Sequence, residues 1–250
     1  MISVSIVSHR QALLVEALIS DLNRYCRDLE LMVTLNVQEA DLEQELLERF
    51  PTLVFRNPAP AGFGTNHNRA FARSSGEYFC VLNPDVRLTS DPFPPLLEQL
   101  NLSKVGIAAP RVIDPFGREE DNARPFPTPW SLLGKALGFP RSRERHTGSS
   151  AFSPDWVAGI FMVFQRDSFI RVGGFDERYF LYYEDVDLCA RMRLQGYDIR
   201  LDPRASVVHA ARRQSHRDLR YLWWHVRSAL TYFSSATHRR ARALRGSRDE

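Results

Sequence analysis

At 250 residues the chain is long enough to bury a sizeable core, and its 44% apolar and 25% charged residues are those of a globular protein rather than a disordered or fibrous one. No apolar run approaches the ~18 residues of a spanning helix, and Met1 to Val7 opens as a strand without the pattern of a secretory leader, so a soluble or membrane-peripheral protein is expected. The net charge of +3 hides an asymmetry: from Arg204 to Glu250 eleven Arg stand against Asp218, Asp249 and Glu250, a surplus of eight, which leaves the remainder at −5.

Apolar periodicity predicts a strand at Val4–Ser8, an amphipathic helix at Ala12–Cys26, a strand at Leu29–Leu35, a helix at Glu39–Phe50 and a strand at Thr52–Arg56. The turn-rich Asn57–Gly64 leads into a helix at Thr65–Ser74, and Glu77–Leu82 forms the next strand. Beyond it come a proline-broken helix within Leu88–Leu100, a strand at Val105–Arg111 and a long loop, Asp114–Ser153, with a short helix at Trp130–Leu133. A loop of that length in a domain is expected to be functional or disordered. Trp156–Gln165 reads as one strand interrupted by Gly159, followed after the acidic motif by short strands at Tyr197–Leu201 and Ser206–His209. Arg217–Arg245 reads as one helix, with Leu219, Leu222, Trp223, Val226, Leu230 and Phe233 at three- and four-residue steps. The alternation predicts an α/β domain whose mostly parallel sheet binds ligand beyond the carboxyl ends of its strands. Cys26, Cys80 and Cys189 fit buried thiols of a reducing cytoplasm.

Chemistry concentrates in Gly173-Gly174-Phe175-Asp176-Glu177 and in Phe180-Leu181-Tyr182-Tyr183-Glu184-Asp185-Val186-Asp187. Rings beside a carboxylate raise the cost of its charge, which is how a general base near neutral pH is made. Acids also favour a helix's first turn, and Asp187 reaches Arg191 at i,i+4. That accounts for Asp187 better than for Asp185, the candidate base; Glu184 would set the acceptor or the loop. Asn83-Pro84-Asp85 is good turn chemistry, yet Asp85 also offers the hard oxygen that a divalent metal on a diphosphate needs, with Asn83 giving a weaker carbonyl or a ribose contact. His209, closing an apolar strand, suits either a packed side chain or a ligand beside a carboxylate-bound metal. Gly62-Phe63-Gly64-Thr65-Asn66-His67-Asn68 opens a helix whose first amides suit an anion, while Asn66 and Asn68 offer amides to a base or ribose. A base and a separate metal-type acid on one sheet suggest group transfer.

Taken together these motifs resemble glycosyltransferase family 2, inverting enzymes of GT-A fold. Asn57–Asn68, Gly76–Asp85, Gly173–Phe180, Glu184–Arg191, Gly196-Tyr197 and His209 fall in the family's order, from about Val4 to His209. Within it the chain is most similar to the rhamnosyltransferase-like and galactofuranosyltransferase-like members that build bacterial surface polysaccharides. The resemblance implies a mostly parallel, Rossmann-like sheet flanked by helices. A transferase domain would span residues 1–210, its nucleotide-sugar half at 1–112 and its acceptor and catalytic half at 113–210, followed by a basic C-terminal helix and tail at 211–250. It implies Mg2+ or Mn2+ on Asp85 with His209 as a further ligand, and Asp185 and Glu184 as the catalytic carboxylates. Ser8, His9, Asn36, Gly62, Asn66, Asn68 and Asn83 would surround the nucleotide; Trp156, Gly159, Gly174, Phe175 and Asp176 would shape the sugar pocket. The expected partners are a nucleoside diphosphate sugar and a glycan or lipid-linked acceptor. The expected location is the cytoplasm, with peripheral contact at the inner membrane through the basic helix, and no nucleic acid. Two stretches depart from the family pattern: Val7-Ser8-His9-Arg10 replaces Thr-Tyr-Asn, and Leu35-Asn36-Val37-Gln38 replaces Asp-Asn-x-Ser, whose acid helps hold the base. The second departure leaves open another class, a non-catalytic sugar-nucleotide- or glycan-binding module on the same fold.

Overall fold

The computed structural model describes residues 1–50, 52–131, 148, 150–209 and 219–246. In chain order the first half runs β1 (Ile2–Ser8), α1 (Ala12–Tyr25), β2 (Leu29–Leu35), α2 (Ala40–Arg49), β3 (Thr52–Arg56), α3 (Phe63–Phe71), β4 (Tyr78–Leu82), β5 (Val86–Arg87), α4 (Phe93–Leu100) and β6 (Val105–Ile113). The second half runs β7 (Ala123–Arg124), β8 (Trp156–Val157), β9 (Phe161–Gln165), α5 (Arg166–Val172), α6 (Glu184–Leu194), β10 (Asp198–His209), α7 (Leu219–Ser234) and α8 (Ala236–Gly246).

Eight strands form one sheet in the order β3-β2-β1-β4-β9-β6-β10-β5, and β7 pairs with β8 in a separate two-stranded sheet. β3, β2, β1 and β4 are mutually parallel, as are β6 and β10, whereas β9 runs antiparallel to both β4 and β6. Because side chains alternate along a strand, the sheet has a core on each face. Ile2, Val4 and Ile6 of β1 pack with Leu18, Leu22, Leu46 and Leu96 on one face. Phe79 and Val81 of β4, with Met162 and Phe164 of β9, pack against Phe169, Leu188 and Tyr232 on the other.

Several expected elements change shape. Pro94 and Pro95 lie in the first turn of α4, where a missing N–H costs nothing, so they start that helix rather than break it. Trp156–Gln165 is two strands in two sheets, parted at Gly159. The two short strands expected at Tyr197–Leu201 and Ser206–His209 are one, β10, which absorbs Pro203 as a register shift between Asp202 and Ser206. The single C-terminal helix is two, α7 and α8, separated at Ser235. Of the short helix expected at Trp130–Leu133, the turn at Trp130-Ser131 is helical, and Leu132-Leu133 lie outside the described residues.

Candidate active site

The carboxyl ends of β4, β6 and β10 lie at one edge of the sheet, and β9 enters there because it runs the opposite way. Three residues past β4, Asp85 meets the last residue of β10: its Oδ2 lies 3.2 Å from His209 Nε2. Its other oxygen is buried without a partner. The far ring nitrogen, His209 Nδ1, is 2.7 Å from Glu120 Oε2. Burial alone would pull the imidazole down, but hydrogen bonds and charge from Asp85 and Glu120 outweigh it and hold the group up at about 9. A carboxylate oxygen with nothing to bond, beside an imidazole nitrogen, suits a hard divalent cation. Among the described residues no set of three or more such side chains converges as a ready-made cage.

A short chain of contacts joins this pair to the acidic helix. Asn83 donates its backbone N–H to Ile160 O at 2.9 Å, and the preceding Gly159 donates its own to Asp185 Oδ2 at 3.1 Å. Asp185 Oδ1 accepts from the backbone of Val186 at 2.8 Å. A side chain at Gly159 would press on the Phe63 ring at 3.1 Å and lie 3.8 Å from Asp185 Cβ, so the glycine leaves room for both. Burial raises the Asp185 carboxyl, while its two backbone donors and the Arg124 charge pull the other way. Glu184 is pushed much further up, first by burial and then by the Asp185 charge, and its Oε2 is buried and unpartnered. Both carboxyls are thus pushed toward the neutral form, Glu184 further than Asp185.

Two consecutive tyrosines, Tyr182 (φ 70°) and Tyr183 (φ 67°), hold the left-handed backbone that aims these acids inward. Side chains behind them hold the bend: Ser228 donates to Leu181 O at 2.8 Å, and the Tyr183 ring lies 5.5 Å from His225 and 5.6 Å from Tyr232. Asp187 faces away into the protein, its Oδ2 2.7 Å from Arg191 Nε, and Arg191 donates to Val172 O and Gly174 O at 2.6 and 2.7 Å. The glycine-rich motif is thereby clamped to the acidic helix.

The remaining candidates divide into groups. Asn36 is fully engaged: its Oδ1 accepts from Asn57 Nδ2 and Ala61 N, both at 2.8 Å, and its Nδ2 donates to Ala61 O at 3.1 Å and lies 3.4 Å from the exposed His9 ring. Asn66 joins the same web through Asn57 at 2.6 Å and Ala61 O at 3.2 Å. Ser8 donates to Glu39, whose carboxylate also accepts the N–H groups of Arg10 and Gln11. Gly62 starts α3 with the Phe180 backbone where its Cβ would be, and Phe63 N–H is taken by Phe180 O at 2.9 Å. Asn68 donates to Phe175 O at 2.9 Å and Glu177 Oε1 at 3.0 Å, and accepts Phe175 N–H at 2.9 Å; Gly174 passes beside it where a Cβ would lie 2.5 Å from its oxygen. Phe175 is buried against Phe63 and Phe169, and Asp176 is held low by Arg178 against the opposing effect of burial. Trp156, buried, donates to Pro125 O at 3.0 Å with Arg124 above its ring.

Sequence reasoning missed the 120–124 strip. It sits inside the loop expected to be functional, yet ties both halves of the site: Glu120 to His209, Asn122 O to Ala158 N–H at 2.8 Å, and Arg124 to the surroundings of Asp185. Glu120 stands among Arg118, Glu119 and Asp121 and reads as loop charge; what places it is the return of the chain onto β6, where Glu119 bridges Ile113 and Glu120 N–H donates to Val112 O at 2.9 Å, a pairing that periodicity does not encode.

Residues 3–167 match the family described as Glycosyl transferase family 2. The chain belongs to that family. Residues 143–216 also match a family described as the N-terminal domain of galactosyltransferase. Among relatives of this family 2 glycosyltransferase, rhamnosyltransferase WbbL of Escherichia coli is 26% identical over 94% of this chain and 93% of its own. An N-acetylglucosaminyl-diphospho-decaprenol L-rhamnosyltransferase of Mycobacterium tuberculosis is 30% identical over 70% of this chain and 64% of its own. The fold is GT-A, as in two solved structures. One is GalNAc-T7 with UDP, GalNAc and Mn2+ (TM-score 0.66, 15% identity, 86% of this chain and 44% of that one). The other is the mannosyltransferase PcManGT of Pyrobaculum calidifontis with GDP-Man and Mn2+ (TM-score 0.62, 16% identity, 98% and 78%).

Proposed function

We propose that this glycosyltransferase moves rhamnose or another hexose from a nucleoside diphosphate sugar to a glycan or lipid-linked acceptor in bacterial surface polysaccharide synthesis, with inversion and with a divalent metal. The observation that carries it is Asp185 at the start of α6: its carboxylate oxygens accept the N–H groups of Gly159 and Val186, beside the buried Glu184. Asp185 would take the proton of the acceptor hydroxyl as that oxygen attacks the anomeric carbon, in one displacement without a covalent enzyme intermediate. Asp85 would hold Mg2+ or Mn2+, joined by His209 once its ring gives up the proton that Asp85 and Glu120 favour, and the metal would supply positive charge to the departing diphosphate. Glu120 fixes the His209 ring from behind. The names of the relatives support rhamnose and a diphospho-lipid acceptor. Residues 1–210 would carry the transfer. No described helix is long and apolar enough to cross a membrane, and the basic C-terminal helices would supply a peripheral contact with the inner membrane.

The alternative is a non-catalytic sugar-nucleotide- or glycan-binding module; Asn36, tied to the turn at Ala61, is withdrawn from a base contact in either reading. One experiment separates the readings. Purified protein is offered a panel of nucleoside diphosphate sugars with Mg2+ or Mn2+ and a diphospho-lipid acceptor analogue. Turnover that falls about 10²–10⁴-fold in Asp185→Asn, with donor binding retained, fits the transferase. Donor binding without turnover in the unsubstituted chain fits the module.

A further inference from the structure

The helix that braces the catalytic loop has a second apolar face. Leu219, Leu222, Trp223, Val226 and Leu230 of α7 are 81, 60, 56, 49 and 67% exposed. At 3.6 residues per turn they fall within an arc of about 100°, and the buried Ser228 and Tyr232 fall on the opposite side. Five large apolar side chains in one stripe differ from the scattered exposed residues of an ordinary surface. Arg227 borders the stripe with its guanidinium over the Trp223 ring. From Leu219 to Gly246 there are six Arg and neither Asp nor Glu. Arg239, Arg240 and Arg242 of α8 are exposed.

We propose that this stripe inserts at the interface of an anionic lipid bilayer, with the arginines of α7 and α8 on the headgroups. The occupant follows from the chemistry. A hydrophobic stripe edged by Arg and carrying Trp suits an interface that offers acyl chains beneath negative charge. The inner face of α7 is already committed to the chain's own catalytic loop: the Phe180 and Trp224 rings lie 4.8 Å apart, Tyr182 and His225 5.3 Å, and Ser228 holds Leu181 O. A bilayer on the outer face would therefore lie one helix thickness behind Glu184 and Asp185. The inference deepens the peripheral contact proposed above and rests on that contact, not on the transfer chemistry.

The test is co-sedimentation of the full chain with phosphatidylcholine vesicles, with and without phosphatidylglycerol, beside turnover on a water-soluble acceptor analogue. Binding is expected with phosphatidylglycerol and weak without it. The double variant Leu222→Glu, Trp223→Glu should lower vesicle partitioning at least about tenfold while keeping soluble-acceptor turnover and thermal stability. A variant with Arg239, Arg240 and Arg242 changed to Gln should bind less and regain nothing on neutral vesicles. Absence of vesicle binding by the unsubstituted chain overturns the proposal, as does unchanged binding of the Leu222 and Trp223 double variant. A dimer in solution that the double variant dissolves would also overturn it, since a second copy would then cover the stripe. Vesicle binding without turnover on any donor would leave the surface standing and remove the proposed reaction.

Discussion

Asp185 sits between burial, which opposes its charge, and two backbone donors that favour it. Its carboxyl lies above the ordinary aspartate range, so transfer should be present above that raised value and fall away as pH drops through it. Burial, not the Glu184 charge, raises Asp185, so Glu184→Gln should leave this acid limb in place in a kcat–pH profile. A limb displaced to lower pH would show that the Glu184 charge contributes to the shift. His67 offers a separate acid effect. Buried beneath β1, with Nδ1 2.8 Å from Ser5 Oγ, its ring is pulled from 6.5 down to about 3 by burial. Below 6.5 the unfolded chain takes up a proton that the native ring refuses, so stability falls with pH between those values, by about 1.4 kcal/mol per unit. Urea unfolding at pH 6.5 and pH 5 should therefore show an acid loss about 1.6 kcal/mol smaller in His67→Gln than in the unsubstituted protein. Equal losses would place the acid sensitivity elsewhere.

Among the elements, α3 and the loop before α6 are built against each other. A Cβ at Gly62 would lie 2.9 Å from Phe180 O and 3.0 Å from its Cα, and backbone on both sides cannot step aside cheaply. Gly62→Ala should cost about 1–3 kcal/mol in denaturant unfolding and reduce kcat through the displaced loop. An alanine variant that is silent in both would mean that the loop is not held from this side. Much of this layer was legible in advance. Period-two and period-3.6 patterns mark β1 to β4 and the helices between them, and the motif order places Asp85, Asp185 and His209 at strand ends or a helix start. Legibility stops where a contact depends on tertiary pairing. The apolar run from Trp156 to Gln165 looks continuous although its halves belong to different sheets, and α5 is too short to show a period. Nothing local in Asn36 tells that it is consumed by Ala61, and nothing around Glu120 points to an imidazole 89 residues away.

For the molecule as a whole, α7 and α8 are part of the site's framework. Tyr232 is fully buried beside Tyr183, and the aromatic contacts of α7 support the backbone that precedes Glu184. Tyr232→Ala should cost about 3–5 kcal/mol, visible in thermal unfolding, and lower turnover beyond any change in vesicle binding. Normal turnover and stability would mean the C-terminal helices are separable. The position of β9 reaches furthest in time. It fills the middle of the sheet between β4 and β6, yet is made some fifty residues after β6 ends at Ile113. At roughly 5–20 residues per second a ribosome leaves several seconds in which β4 shows a bare edge and β6 has neither of its sheet neighbours. A nascent chain in that interval offers the bare edge of β4 and an unpaired, strongly apolar β6 to whatever lies nearby. Its yield in the cell should then depend on how quickly synthesis passes residue 165, so slow codons between 114 and 160 should send more of it to chaperones or into aggregates.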